Sequence, residues 1–86
     1  MPEISRFLGI VIRMYYLDHS PPHFHVNYAG EEAVIRIASS EVLAGSVPGR
    51  VLALVSEWAT LHEAALLDNW RRLRADVPPV PIPPLE

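Results

Sequence analysis

One short stretch of the chain concentrates the side chains that could carry chemistry, residues 18–25 with the sequence DHSPPHFH. If this stretch runs into a strand, His23 and His25 lie on one face of it, about 6–7 Å apart along the backbone. Two imidazoles at that spacing can share a zinc, iron or manganese ion through bonds of about 2.0–2.1 Å, provided that a third ligand joins them. Asp18 and His19, on the other side of the proline pair, are the candidates for that ligand.

The same residues also have an interpretation without a metal. A His-x-His pair whose third ligand is not fixed in sequence is a weak metal signal, and histidines on an exposed strand face can bond to a partner instead. We therefore expect no cofactor, and a divalent metal ion held by His23, His25, Asp18 and His19 is the alternative. Whether the chain is an enzyme stays open. The sequence has no Ser-His-Asp order, glycine-rich phosphate loop or paired-carboxylate spacing that would indicate a particular class of enzyme.

The residues around this cluster alternate with a period of two, which predicts strands. We expect strands over residues 7–17, 23–29 and 32–38, and a short fourth strand over 41–44. In the first of these, the even positions from Leu8 to Tyr16 should face the core. Short connections favour antiparallel neighbours, so the topology predicted is a β-meander of three to four strands.

From Pro48 the period changes to that of an amphipathic helix, which should run to about Arg74 and cover one face of the sheet. We expect one continuous helix, with a break near residue 60, at Thr60-x-x-Glu63, as the alternative. The fold class predicted is therefore α+β. His62 lies on the apolar stripe of this helix, so it should be a core or boundary residue. The positions that form the stripe are Val51, Val55, Trp58, His62, Leu66, Trp70 and Leu73.

A chain of 86 residues forms one small domain, for which we take residues 1–76. The remaining residues, 77–86, contain five prolines, which favour an extended chain. We expect a disordered tail, with a docking motif as the alternative. The chain has no cysteine, and its N-terminus does not resemble a signal peptide. No run approaches the roughly 18 apolar residues of a membrane span. We therefore expect a cytoplasmic protein that does not enter a membrane.

The sheet face away from the helix should be open and polar, and it is the binding surface predicted. We expect a protein partner there, or a second copy of the chain. A nucleic acid is a less favoured partner than a protein but is not ruled out. Seven arginines against ten acidic residues give a net charge of −3, which disfavours binding to phosphates. The predicted binding residues are Arg13, Tyr15, Asp18, His19, His23, His25, Asn27 and Arg36.

Three segments of the chain, ISRFLGIVIRMYYLDHSPPHFHVNY, EEAVIRI and LVSEWATLHEAALLDNW, resemble the small bacterial family of domain of unknown function 4160. The resemblance covers about residues 3–74. It implies a stand-alone cytoplasmic protein whose gene neighbours that of another small protein, in an arrangement like a toxin–antitoxin pair. An interaction or regulatory module is then the function expected, and a metal-dependent, nuclease-like enzyme is the alternative. The signature positions are Asp18, His19, Pro21, Pro22, His23, Phe24 and His25.

Overall fold

The computed structural model describes residues 2–16 and 18–86, which form one antiparallel sheet and two helices. Every strand pairs with its neighbours in the sequence, in the order β1-β2-β3-β4-β5. This confirms the α+β class and the meander, but with five strands instead of three to four. The elements are β1 Glu3–Phe7, β2 Ile10–Arg13, β3 His23–Tyr28, β4 Glu31–Arg36, β5 Val42–Gly45, α1 Gly49–Leu61 and α2 Glu63–Arg74.

The single strand predicted over residues 7–17 is wrong, because the chain reverses near its start and the strand that follows, β2, ends at Arg13. Leu17, the last residue of that prediction, lies outside the described residues. Leu8 and Gly9 both have positive φ, 51° and 79°, and make a two-residue turn between β1 and β2. Ala29 and Gly30, at 50° and 84°, make the matching turn between β3 and β4. Such turns usually begin with asparagine, aspartate or glycine, so leucine at the first position hides the turn between β1 and β2 from sequence reading.

The core lies between the sheet and the two helices. Ile10, Ile12 and Met14 are fully buried, as the alternation predicts, whereas Leu8 in the turn is 68% exposed and Tyr16 is 40% exposed. The buried apolar residues of the other strands and of the helices are Ile4, Phe7, Phe24, Val26, Ala33, Ile35, Val51, Val55, Trp58, Ala59, Leu66, Trp70 and Leu73.

The helical segment is divided at His62, so the expected continuous helix is wrong and the break that was the alternative is confirmed. His62 has φ −120° and ψ 26°, outside the helical region. Thr60 does not cap the second helix; its hydroxyl donates instead to the carbonyl of Ser56, 2.9 Å away in the preceding turn. That back-bonding is known to bend helices. The bend lies between the two sets of buried residues that pack on the sheet.

The proline-rich tail, residues 77–86, packs against the domain, which corrects the expectation of a disordered end. The side-chain amide of Asn69 bonds both the N–H and the carbonyl of Val80, each at 2.8 Å. Beyond it, Ile82 is 5% exposed and its N–H donates to the carbonyl of Ile4. Prolines leave many carbonyls but few N–H groups to satisfy, and a buried asparagine supplies both a donor and an acceptor.

Candidate metal centre

Asp18, His23 and His25 converge into one cluster. The Asp18 Oδ2 atom lies 3.1 Å from His23 Nε2 and 3.3 Å from His25 Nε2. One potential ligand atom from each of the three residues lies within 4.8 Å of the other two. In the part of the chain that is described, no other group of three histidine or acidic side chains comes together in this way.

The strand and the loop before it position these side chains by different means. In β3, Phe24 and Val26 are fully buried, so alternation turns His25 toward the opposite face of the sheet. His23 begins the strand, directly after the prolines of the β2–β3 loop. Asp18 lies at the other side of that loop, where its main-chain carbonyl accepts a 2.8 Å hydrogen bond from Nη1 of Arg74 in α2. The helix end thus ties down the loop that carries the carboxylate.

Both nitrogens of each imidazole have an acceptor oxygen beside them. Nδ1 of His23 lies 2.7 Å from the main-chain oxygen of Pro21, and Nδ1 of His25 lies 3.1 Å from Oε2 of Glu32. Nε2 of both rings faces Asp18 Oδ2. A neutral imidazole has only one N–H to donate to these two acceptors.

In a neutral ring, one of the two acceptors is therefore left without a donor, and a cation bound between Nε2 and Asp18 would remove that mismatch. A histidine that binds a metal typically donates its second ring N–H to a carbonyl or a carboxylate, and an oxygen of that kind lies beside Nδ1 of both His23 and His25.

Two distances in the cluster are compatible with ligands that share one transition-metal ion. Metal bonds of about 2.0–2.1 Å at tetrahedral or octahedral angles place ligand atoms about 2.8–3.4 Å apart. The two contacts of Asp18 Oδ2, at 3.1 Å and 3.3 Å, fall within that interval. The ligand atoms of all three residues lie within 4.8 Å of one another.

Aromatic side chains enclose the two imidazoles and leave the carboxylate more open. The Tyr15 ring meets the His25 ring edge-on, with centroids 4.3 Å apart, and the Trp70 ring lies 5.1 Å from that of His23. The side chains of His23 and His25 are 11% and 15% exposed, against 25% for Asp18. A ligand from solvent would thus approach past Asp18.

The contact with Trp70 partly corrects the predicted facing of the strand. His23, His25 and Asn27 were all expected on the side away from the helices. His25 contacts Glu32 and Tyr15, and Asn27 accepts a hydrogen bond from Arg13, all of them residues of strands or of the β2–β3 loop. His23, at the end of the sheet, also contacts Trp70 of α2.

Other residues predicted for the binding surface lie outside the cluster. His19 is exposed, so of the two candidates for the third ligand only Asp18 joins the histidines. Arg13 donates to Oδ1 of Asn27 at 2.8 Å, on the same sheet face. Arg36 is exposed and lies 3.8 Å from Glu41. His62, expected at the core boundary, is half-buried, with its ring 5.7 Å from that of Trp58.

Two residues that position the cluster were not singled out for it from the sequence. Glu32 could have been found, because a turn at residues 29–30 sets Asn27 opposite Glu32 and brings Glu32 diagonally next to His25. Arg74 had no such signal, because its contact with Asp18 joins positions 56 residues apart.

A pocket of about 210 Å³ opens beside the cluster. Asp18 lines it together with His19, Ser20 and Arg74, so the pocket and the cluster share the carboxylate residue. The Arg74 guanidinium also lies over the Trp70 ring, with its central carbon 5.7 Å from the ring centroid. The pocket is thus on the more exposed side of the three potential ligands.

Comparison with family models gives the same family as the resemblance seen in the sequence. The family model of DUF4160, a domain of unknown function, matches residues 9–71, which include the whole cluster. The chain belongs to the DUF4160 family. Comparisons of this DUF4160 chain with curated proteins and with solved structures find no match. No helix in residues 2–16 and 18–86 is long and apolar enough to cross a membrane.

Proposed function

We propose that the chain is a metal-dependent enzyme whose centre is formed by Asp18, His23 and His25. One observation carries this proposal: both Nε2 atoms face the Asp18 carboxylate, and each Nδ1 atom lies beside another acceptor oxygen that could hold its proton. The sequence alone favoured an interaction module, because it did not identify the third ligand. The convergence of Asp18 on the two histidines supports the alternative instead.

The number of ligands supports a catalytic ion over a structural one. Structural zinc sites are closed by four protein ligands, whereas catalytic sites keep a position for water or substrate. Two histidines and one carboxylate are also the ligands of non-haem iron(II) oxygenases. An ion bound here would retain at least one open position, and it would supply Lewis-acid activation of a bound water or substrate.

Removal of one histidine tests the metal centre. We expect the purified chain to bind one equivalent of zinc, manganese or, without oxygen, iron(II), and its melting temperature to rise on binding. His25→Ala should lose stoichiometric binding but keep its far-UV circular dichroism, because His25 faces away from the core. The matched control is His62→Ala, which removes a histidine outside the cluster and should bind metal as the parent chain does.

Results of two kinds would contradict the proposal. In one, the parent chain binds no equimolar metal under any of these conditions. In the other, His62→Ala and His25→Ala lose metal equally. Cobalt(II) separates a catalytic from a structural ion: azide should change the visible spectrum of the cobalt-loaded chain, because a position is open to it. An unchanged spectrum would mean a closed site.

Self-association is a second candidate function, and it rests on the edge of β5. Among residues 2–16 and 18–86, no strand pairs with the outer edge of Val42–Gly45. Val42 and Leu43 are each 39% exposed there. A free edge with apolar side chains can pair with the same edge of a second copy.

Sedimentation over a concentration series tests that pairing. We expect a dimer that dissociates on dilution, and Val42→Lys should keep the chain monomeric because it places a charge at the edge. Leu61→Lys, which changes an exposed leucine at the end of α1, should leave the dimer intact. A parent chain that stays monomeric at every concentration would exclude this function.

A further inference from the structure

We infer that the pocket formed by Asp18, His19, Ser20 and Arg74 binds the oxyanion group of a small substrate, a phosphate or a carboxylate. This inference deepens the proposed function, because the pocket shares Asp18 with the metal centre. Its cation is Arg74, whose planar fork of donors matches the oxygens of either anion.

Two contacts hold the Arg74 side chain in place before any ligand arrives. Nη1 donates to the main-chain oxygen of Asp18 at 2.8 Å, and the guanidinium lies over Trp70. Arginine otherwise loses considerable rotamer freedom when it binds an anion, so a side chain already held binds more tightly. The indole covers one face of the fork and leaves donors at its edge.

Within the described part of the chain, no acidic side chain forms an ion pair with Arg74, although Asp18 lines the same pocket. Among residues 2–16 and 18–86, no carboxylate lies within 4.0 Å of its guanidinium. Arg72, two positions earlier in α2, is by contrast paired with Asp68 at 2.9 Å. Arg74 bonds a carbonyl of Asp18 and not its carboxylate, so its positive charge remains available to a ligand.

The size and lining of the pocket indicate the class of ligand. A volume of about 210 Å³ is below the roughly 300 Å³ at which pockets for drug-sized molecules begin, so it accommodates one small group. The Ser20 hydroxyl can donate a further hydrogen bond. An oxyanion held by Arg74 would lie beside Asp18, on the open side of the metal ligands.

Titration with inorganic phosphate and with acetate tests the pocket, with isothermal calorimetry on the metal-free and the metal-loaded full chain. Arg74→Gln should weaken phosphate binding about tenfold or more in both forms, because it removes a charge-assisted pair. Arg71→Gln is the matched control, since it removes an exposed arginine from the same helix and should change the affinity less than twofold. Arg74→Lys, which keeps the charge without the fork, should fall between them.

The outcomes separate this inference from the proposed function. Phosphate affinity that is unchanged in Arg74→Gln, or that falls equally in Arg71→Gln, would overturn the anion pocket even if metal binds. Loss of phosphate binding in Arg74→Gln but not in Arg71→Gln supports the pocket, whether or not the parent chain binds metal. A parent chain that binds no metal would overturn only the metal centre. Tighter acetate than phosphate binding assigns the pocket to carboxylates, and the reverse assigns it to phosphates.

Discussion

Replacement of Trp58 with alanine is expected to lower the free energy of unfolding by about 3–5 kcal/mol, the range for a large aromatic removed from a core. Trp58 is fully buried, and its ring lies 5.5 Å from that of Phe7 and 6.0 Å from that of Phe24. Its indole N–H also donates to the carbonyl of Pro83 at 2.9 Å. The substitution therefore opens a cavity between helix and sheet and releases the tail at the same time.

Urea denaturation followed by circular dichroism measures this loss. A chain of this length is stabilised by only about 4–13 kcal/mol in total, so the variant should be close to unfolding at 37 °C. Leu61→Ala, at the exposed end of the same helix, should change stability by less than about 0.5 kcal/mol. A Trp58→Ala chain as stable as Leu61→Ala would mean that α1 does not pack on the sheet.

Asp18→Asn is expected to have opposite effects on metal affinity and on the metal-free fold. The substitution keeps the shape of the side chain but removes the charged ligand, so metal should bind at least about 100-fold more weakly; loss of groups that only support ligands already costs 10–100-fold. In the metal-free chain, the new amide can donate its two protons to the Nε2 atoms of His23 and His25. Each neutral ring can then keep its own proton on Nδ1 for the Pro21 or Glu32 oxygen, so no acceptor is left without a donor.

The metal-free Asp18→Asn chain should therefore be as stable as the parent, or more stable by about 0.5–1.5 kcal/mol. Calorimetry with zinc and thermal unfolding in a chelator measure the two quantities. Asp68→Asn is the control for net charge, because Asp68 lies in α2 outside the centre. If Asp18→Asn instead destabilises the metal-free chain while the parent binds no metal, the Asp18 carboxylate serves to stabilise the fold and the centre proposed is wrong.

Much of the fold follows from local patterns in the sequence. The apolar spacing from Val51 to Leu73 predicts the helical layer, and the alternation through Phe24 and Val26 predicts the buried face of β3. The first hairpin could not be read in the same way. Its turn places Leu8 at positive φ, a conformation that leucine disfavours and that the pairing of β1 with β2 imposes.

The candidate site was also predictable only in part from the sequence. The grouping of Asp18, His19, His23 and His25 is a property of the sequence, and the strand period alone places the two neighbouring imidazoles on one face. Which residue completes the set is not local: the choice of Asp18 over His19 depends on the path of the proline loop, which Arg74 holds from the end of α2.

The sequence by itself determined the elements whose residues contact near neighbours: the alternating strands, the apolar helix face and the histidine pair of β3. The tertiary structure decided the docking of the tail by Asn69 and the approach of Arg74 to Asp18. The physical reason is that a local pattern expresses the periodicity of one element, and it acts over three or four residues. A contact between residues far apart forms only when packing of the whole core brings their elements together, so no spacing along the chain encodes it.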